Sequence, residues 1–119
     1  MQTQNSKLKT QNSVKVAVIG AGAMGRNHLR VLNDLEGVHL IGVADADEGT
    51  AQRAARSLHI EAHTDYRQML AADKPDAVVV AVPTVLHCEV VLHALRQGVH
   101  VLVEKPIAST EDEARGSRR

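Results

Sequence analysis

Short apolar runs alternate with amphipathic stretches along most of the chain, and this alternation limits the fold more than any other feature. The apolar runs lie at residues 14–19, 39–44, 60–63, 77–82 and 100–103. Most are apolar on both faces, as expected of strands buried in a parallel sheet between layers of helices. The sequence therefore predicts an α/β protein with the order βαβαβαβαβ and a doubly wound parallel sheet.

The stretches between these runs repeat their apolar residues at helical spacing. The first predicted helix, at 23–35, has a stripe of five apolar residues that we expect to face the core: Met24, Leu29, Val31, Leu32 and Leu35. Others are predicted at 47–58, from Asp65 onward and at 85–97. Cys88, the single cysteine, lies among Leu86, Val90 and Val91 and is predicted to pack in the core.

Composition and the chain ends narrow the classes of function. The formal net charge of zero argues against a nucleic-acid or anionic membrane surface. The polar residues 1–13 are predicted to form a disordered arm, not a secretory signal, and no run is long enough to span a membrane. We expect a cytoplasmic protein, with one domain over residues 14–114 and a tail at 115–119.

A glycine motif joins the first predicted strand to the first predicted helix. Gly20, Gly22 and Gly25 form the pattern GxGxxG, which is typical of dinucleotide-binding turns. Gly20 would allow the tight turn, Gly22 the approach of a pyrophosphate, and Gly25 close packing of the helix on the sheet. The helix start at Ala23 and Met24 would then direct backbone N–H groups at the phosphates. The alternative is a tight turn that binds nothing.

Asp45 follows the second predicted strand, 20 residues after Gly25. An acidic residue at this place accepts hydrogen bonds from the ribose hydroxyls of a dinucleotide. Ala46 comes next, and no Arg or Lys follows within a few residues to bind a 2′-phosphate. The sequence thus favours NAD over NADP. The alternative is that Asp45 only caps a turn, in competition with Asp47 for the N-cap of the next helix.

Two more strand ends carry polar groups. Pro83, Thr84 and His87 follow the fourth strand, where Thr84 is predicted to cap the helix and His87 either faces the ligand or is an ordinary surface group. Glu104 and Lys105 follow the fifth strand. Lys105 is a candidate for proton transfer beside a reacting hydroxyl, or a solvated charge. The histidines have no spacing typical of a metal site.

Five segments together resemble, in order and spacing, the N-terminal half of the Gfo/Idh/MocA oxidoreductases, the glucose–fructose oxidoreductase and inositol dehydrogenase type. They read VAVIGAGAMGRNH, VADAD, DYRQML, PDAVVVAVPTVLH and ALRQGVHVLVEKPIA. Within the family, the chain is most similar to the UDP-N-acetylglucosamine 3-dehydrogenase group.

The resemblance implies oxidation or reduction, with NAD(P), at a CH–OH group of a sugar, nucleotide sugar or cyclitol. It implies that the glycine turn and Asp45 bind the cofactor, that Pro83, Thr84 and His87 line its nicotinamide side, and that Lys105 of the Glu104–Lys105 pair assists proton transfer. The family's second, α+β domain forms the substrate pocket, often with an oligomer interface, and the chain ends before it.

Two functions from different classes stay open. One is the cofactor domain of an NAD-dependent dehydrogenase, in which case the 119-residue chain alone is expected to be nearly inactive. The other is a free-standing dinucleotide-binding module or sensor without catalysis. The fifth strand would lie at a sheet edge, which predicts self-association.

Overall fold

The computed structural model describes residues 13–103, which form five strands alternating with four helices. In chain order these are β1 (Val14–Ile19), α1 (Ala23–Asp34), β2 (Val38–Ala44), α2 (Glu48–Arg56), β3 (Glu61–His63), α3 (Tyr66–Asp73), β4 (Ala77–Val80), α4 (Thr84–Arg96) and β5 (His100–Val103). The predicted order is confirmed. The ends differ by one or two residues, most visibly in β4, which ends at Val80 and not at 82. The predicted arm, apart from Ser13, and the predicted tail lie outside the described residues.

The strands form one parallel sheet with the order β3-β2-β1-β4-β5. The chain first proceeds outward from β1 to β2 and β3, and then crosses back to β4 on the other side of β1. This is the predicted doubly wound arrangement, and its switch point lies between β1 and β4. Ligands of such sheets bind at the carboxyl ends of the strands beside the switch point.

Helices cover both faces of the sheet, so β1 is buried on both of its sides. Val16 and Val18 pack in one apolar cluster with Leu29 of α1. Ala17 and Ile19 pack in the other cluster, which includes residues of α3 and α4. The alternation of side chains along a strand therefore explains why residues 16–19, which are buried on both faces, are all apolar.

A bulge in β2 determines which of its residues lies opposite the last residue of β1. Val16 lies opposite Leu40 but Ala17 lies opposite Gly42, so Ile41 is an extra residue. Because of this insertion, Ala44 is level with Ile19 at the carboxyl end of the sheet. The bulge thus brings the residue after Ala44 next to the turn that follows β1.

The predicted apolar stripe of α1 is only half correct. Leu29 and Leu32 are buried, whereas Met24, Val31 and Leu35 are about half exposed. A helix that lies on a sheet buries the narrow face that touches the strands, and the three exposed residues lie on its flank.

The prediction that Cys88 packs in the core is wrong. The residues of α4 that are buried against the sheet are Val90 and Ala94, and Cys88 is exposed. The helix is apolar on more than one face, so apolar neighbours in the sequence did not identify the buried one.

Candidate functional site

The carboxyl ends of β2, β1 and β4 meet at one place and are connected by backbone hydrogen bonds. The Gly20 N–H donates to the Ala44 carbonyl at 2.7 Å, and the Ala81 N–H donates to the Ile19 carbonyl at 2.8 Å. The turn after β1 is therefore held between the loops that follow its two neighbouring strands. This places the glycine motif directly at the switch point.

Two of the three glycines are required by packing alone. Gly20 has a φ of +107°, and a Cβ added to it would lie 2.3 Å from the Ala81 carbonyl oxygen. A Cβ on Gly25 would lie 1.8 Å from the Gly20 carbonyl oxygen. Both contacts involve backbone atoms, which a side-chain rotation cannot relieve. These two residues account for the tight turn and for the close approach of α1 to it.

Gly22 is different, because no contact within the described residues requires a glycine there. Its φ of −73° is open to any residue, and a Cβ added to it would have no atom within 4 Å. The residue is exposed and forms the N-cap of α1. The absence of a side chain therefore leaves open space immediately outside the N-terminus of this helix, where a ligand can approach the backbone.

The helices differ in how their N-termini are capped. Asp47 accepts a hydrogen bond from the Thr50 N–H to cap α2, and Asp65 accepts one from the Arg67 N–H to cap α3. Within the described residues, α1 and α4 have no side-chain cap and no acidic residue in the first turn. These two helices begin on either side of the switch point. Their N-terminal N–H groups and positive dipole ends suit an anionic ligand there.

Thr84 does not cap α4, contrary to the sequence prediction. Pro83 is the N-cap residue and Thr84 is the first residue of the helix. The Leu86 N–H donates to the Pro83 carbonyl at 2.9 Å. The side chains of Pro83 and Thr84 are exposed and His87, in the first turn, is half-buried.

Asp45 is held in place by two backbone donors. Its Oδ2 accepts from the Ala21 N–H at 2.8 Å, and its Oδ1 accepts from the Asp47 N–H at 2.9 Å. The carboxylate therefore connects the glycine turn to the loop between β2 and α2. Because Asp47 is the N-cap of α2, Asp45 is not, although its second hydrogen bond does close a turn.

The other predicted site residues fall into two groups. Ala23 and Met24 are exposed at the start of α1, beside Gly22. Glu104 and Lys105 lie outside the described residues. Within residues 13–103, no group of His, Cys, Asp and Glu is arranged to hold a metal ion, and each helix is too short or too polar to cross a membrane.

Sequence reasoning missed the backbone groups of Ala21 and Ala81. The Ala21 N–H holds the Asp45 carboxylate, and the Ala81 carbonyl limits the space beside Gly20. Alanine carries no chemical signal, and the contributing atoms belong to the main chain. Ala21 occupies a position of GxGxxG at which the motif specifies no residue, so the sequence offered no reason to single it out. Its burial is visible only in the structure.

Comparison with known families decides what this site belongs to. Residues 14–116 match the model of the Gfo/Idh/MocA oxidoreductase family, described as an NAD-binding Rossmann fold. The chain belongs to this family. The resemblance found in the sequence is thereby confirmed, and so is the prediction of a Rossmann domain for NAD.

The relatives of this Gfo/Idh/MocA domain include dehydrogenases of cyclitols and nucleotide sugars. An inositol 2-dehydrogenase of Corynebacterium glutamicum (strain R) is 39% identical over 97 residues, which are 80% of this chain and 29% of the relative. The structure of a UDP-N-acetylglucosamine 3-dehydrogenase from Acidithiobacillus ferrooxidans has a TM-score of 0.73 and 33% identity, covering 87% of this chain and 33% of the other. GenD2 from gentamicin A biosynthesis, in complex with NAD, has a TM-score of 0.76 and 34% identity, with coverages of 88% and 30%. The chain therefore spans about a third or less of the length of these relatives.

The residues present fit the cofactor that this family binds. A pyrophosphate needs N–H donors and an approach free of side chains, and the uncapped start of α1 with open space at Gly22 provides both. A ribose needs an acceptor at the end of β2, and Asp45 is fixed there by two hydrogen bonds.

Proposed function

We propose that this chain is the cofactor-binding part of an NAD-dependent oxidoreductase that acts on a CH–OH group of a sugar, nucleotide sugar or cyclitol. The observation that carries the proposal is the open space at Gly22 beside the uncapped start of α1. A turn built only for packing would need Gly20 and Gly25, but it would tolerate a side chain at this third position. We expect the backbone around Gly22, Ala23 and Met24 to contact the pyrophosphate.

The proposed preference for NAD over NADP rests on Asp45. Its two hydrogen bonds to backbone N–H groups leave lone pairs of the carboxylate to accept from ribose hydroxyls, since a carboxylate offers about four acceptor sites. A 2′-phosphate at this position would face the carboxylate. The adjacent Ala46 offers no countercharge, so NADP is disfavoured by charge repulsion.

The proposed chemistry is a hydride transfer coupled to a proton transfer. A bound NAD would supply the hydride acceptor for the substrate carbon, and the hydroxyl on that carbon would lose its proton. We assign Lys105, with Glu104 beside it, to binding this hydroxyl and assisting the transfer of its proton, on the strength of the family resemblance. Pro83, Thr84 and His87 would line the nicotinamide side, since α4 begins across the switch point from Gly22.

The sole cysteine, Cys88, allows no disulfide within one chain, which fits a protein of the reducing cytoplasm. We propose that location on this ground together with the class of cofactor.

Substitution of Gly22 by alanine tests the cofactor site without disturbing the fold. The added Cβ meets no atom of the described residues, and the loss of a glycine at the N-cap is offset by the lower entropy of the unfolded chain. We therefore expect Gly22→Ala to change the free energy of unfolding by less than about 1 kcal/mol. It should weaken NAD binding about tenfold or more, or ~1.4 kcal/mol, by obstructing the pyrophosphate. Calorimetric titration with NAD and urea unfolding measure the two effects.

Two further glycine variants serve as controls. Gly49→Ala changes an exposed position on α2, where the nearest atoms belong to the side chains of Arg53 and Asp47, and should not affect NAD binding. Gly25→Ala should cost about 3 kcal/mol or more in folding free energy, since its Cβ would collide with a backbone oxygen. If Gly22→Ala bound NAD as tightly as the unsubstituted chain, the proposed cofactor site would be wrong.

A further inference from the structure

A histidine and an aspartate form a partly buried pair between β3 and α3, outside the site described above. His63 is the last residue of β3, and Asp73 is the last residue of α3. The His63 Nε2 and Asp73 Oδ2 atoms are 3.1 Å apart, and the two side chains are only 17% and 14% exposed. Because an ionised carboxylate can only accept, the His63 Nε2–H is the donor. The pair thus joins the end of β3 to the end of α3.

A glycine in the neighbouring strand makes room for this carboxylate. Gly42 of β2 lies opposite Glu61 of β3, and a Cβ added to Gly42 would lie 2.7 Å from Asp73 Oδ2. The carboxylate therefore rests against the bare backbone of β2. A side chain at Gly42 would push this oxygen from its place beside His63, so β2, β3 and α3 all contribute to one contact.

Stability alone does not account for a polar pair at this place. Ala44 lies opposite His63 in the sheet and Met69 lies one turn before Asp73 on α3, and both are buried in the same apolar cluster. Removing a charged group from water costs about as much as the pairing returns, and apolar residues of similar volume often stabilise a fold equally well. The best-attested role of such pairs is to fix one element at a single register relative to another.

The main chain of His63 connects this pair to the proposed cofactor site. The His63 carbonyl accepts a hydrogen bond from the Asp45 N–H at 3.0 Å, and the Asp45 carboxylate accepts one from the Ala21 N–H at 2.8 Å. The strand β3 has only three residues and, within residues 13–103, pairs with β2 alone. The sheet therefore holds the end of β3 from one side, and the contact with Asp73 supplies a second hold.

We propose that His63 is a positioning residue for the cofactor site and that Asp73 holds it in place. The pair fixes the end of β3, the His63 carbonyl fixes the main chain of Asp45, and Asp45 presents its remaining lone pairs to the ribose. The inference rests on the proposed function, because that function assigns Asp45 to the ribose of NAD. It adds two residues that act through Asp45 and that set both the affinity for NAD and its preference over NADP.

Removing the acceptor of His63 tests the proposal. We expect Asp73→Ala to weaken NAD binding about 2- to 10-fold, the range of one hydrogen bond. NADP should weaken less, because a displaced Asp45 also repels the 2′-phosphate less, so the ratio of the two affinities should fall. Asp73→Asn keeps an oxygen acceptor at the same place and should bind both dinucleotides as the unsubstituted chain does. Calorimetric titration of the full 119-residue chain and its variants measures these affinities.

Gly42→Ala breaks the same contact while both partners remain. Its added Cβ collides with the flexible end of the Asp73 side chain, and the backbone at Gly42 has no positive φ that would require a glycine. We expect the same loss of NAD affinity as in Asp73→Ala. The double variant should lose no more than either single one, because both substitutions remove one shared contact.

Arg67→Ala is the matched control on the same helix. Arg67 also bonds a carboxylate, that of Glu89 at 2.9 Å, but these two side chains are 53% and 57% exposed and Glu89 lies on α4. An exposed pair contributes little to stability, and this one has no hydrogen bond to the Asp45 loop. Its loss should leave the affinities for NAD and NADP unchanged.

A measurement without NAD separates this inference from the proposed function. In the free protein, hydrogen exchange of the Asp45 amide should be several-fold faster in Asp73→Ala and in Gly42→Ala than in the unsubstituted chain. It should be unchanged in Asp73→Asn and in Arg67→Ala. The amides of β1 serve as the reference, since the central strand exchanges through global unfolding.

Three results would overturn the proposal. These are an Asp45 amide that exchanges equally fast in all variants, equal weakening of NAD and NADP in Asp73→Ala, and failure of Asp73→Asn to retain the affinity for NAD. If the unsubstituted chain bound no NAD, the proposed function would be wrong and so would the effect on affinity. The exchange rates would then decide separately whether the His63–Asp73 pair holds Asp45 in place.

Discussion

The Asp45 carboxylate lies at the carboxyl end of β2 with a backbone donor on each oxygen. The Ala21 N–H belongs to the glycine turn and the Asp47 N–H to the next loop, so one side chain fixes two segments relative to each other. Replacing the carboxylate therefore affects both the shape of the site and its charge. A change in shape should affect NAD and NADP equally. A change in charge should not, because only NADP carries a 2′-phosphate that the carboxylate would repel.

We expect Asp45→Asn to weaken NAD binding about 10- to 100-fold, the size of one or two lost charge-assisted hydrogen bonds. The amide keeps the size of the side chain but offers one oxygen in place of two, so one backbone donor loses its partner. NADP binding should weaken much less, since the repulsion of the 2′-phosphate disappears. Titration with both dinucleotides measures the ratio of the two affinities.

The matched control for this prediction is Asp47→Asn. It removes a nearby negative charge but retains a good N-cap residue, so the NAD to NADP ratio should stay close to that of the unsubstituted chain. Equal weakening of both dinucleotides in Asp45→Asn would mean that Asp45 only shapes the loop.

Single residues also show where sequence reasoning reached its limit. The spacing of Gly20, Gly22 and Gly25 predicted the turn, since each glycine lies in a local motif. It also assigned Gly20 and Gly25 to the turn and to packing, but it could not show which atoms they approach, because these belong to Ala81 and to Gly20 itself. The ligand role assigned to Gly22 stays a prediction. The exposure of Cys88 was missed for a similar reason, since it depends on which flank of α4 has a neighbour.

At the scale of elements, helix caps divide the four helices of residues 13–103 into two pairs. The aspartates Asp47 and Asp65 cap α2 and α3, which begin at the β2 and β3 ends. The helices α1 and α4 begin beside the switch point without a side-chain cap. Capped N-termini serve the stability of the fold, whereas uncapped ones are free to bind an anion at a small cost in helix stability.

The cap of α2 predicts a dependence of stability on pH. Hydrogen bonds from the Thr50 side chain and from its backbone N–H, with the charge of Arg53 adding to them, lower the pKa of Asp47 below its ordinary value. Since the folded-state pKa is the lower one, this contribution is fully present above about pH 4 and is lost as the pH falls through the folded-state pKa. The asparagine side chain of Asp47→Asn can still cap α2, but it has no carboxylate charge to lose in acid. The Tm of this variant should therefore fall less on acidification than the Tm of the unsubstituted chain.

Thermal unfolding of both proteins between neutral pH and about pH 2.5 measures this difference. The difference in Tm between the two should be constant at neutral pH and should decrease below about pH 4. If the difference in Tm stayed the same over the whole pH range, the negative charge of Asp47 would make no contribution to the stability of the fold.

The elements themselves were largely predictable, and their irregularities were not. Apolar runs and turn residues located every strand and helix of the described part, because those signals are local. The bulge at Ile41 depends on how β2 pairs with β1. The hydrogen bond between His63 Nε2 and Asp73 Oδ2, at 3.1 Å, connects β3 to the end of α3. Neither has a local signal in the sequence. A Cβ on Gly42 would lie 2.7 Å from the same Asp73 oxygen, so a larger residue there would displace this carboxylate from its present position.

At the scale of the whole molecule, the proposed site joins the ends of three strands around one ligand. Gly22 follows β1, Asp45 follows β2 and Pro83 follows β4, so NAD would contact both halves of the doubly wound sheet. A ligand that binds only the folded chain stabilises it by mass action. At a concentration of NAD about 100 times the Kd, the stabilisation is about 2.7 kcal/mol.

For a domain of this size, that stabilisation predicts a rise in Tm of about 10–20 °C. NADP at the same concentration should raise the Tm much less, because Asp45 repels its 2′-phosphate. Differential scanning calorimetry with each dinucleotide, and with Gly22→Ala as the control that should show little rise, measures this. Equal shifts for NAD and NADP would contradict the assigned role of Asp45, and no shift for either would contradict the site.

The same chain should bind NAD without turning over a substrate. Hydride transfer requires the substrate carbon to be held within about 3–3.5 Å of the acceptor, and a loss of this alignment removes most of the rate. The residues that we assign to the cofactor would bind it from one side, and the family resemblance implies that the α+β domain supplies the substrate pocket on the other. We therefore expect no NADH formation above background from a cyclitol or a nucleotide sugar, under conditions where the calorimetric shift with NAD is complete. Saturable NADH formation by the purified 119-residue chain, lost in Gly22→Ala, would instead place a working substrate site within this part of the family's length.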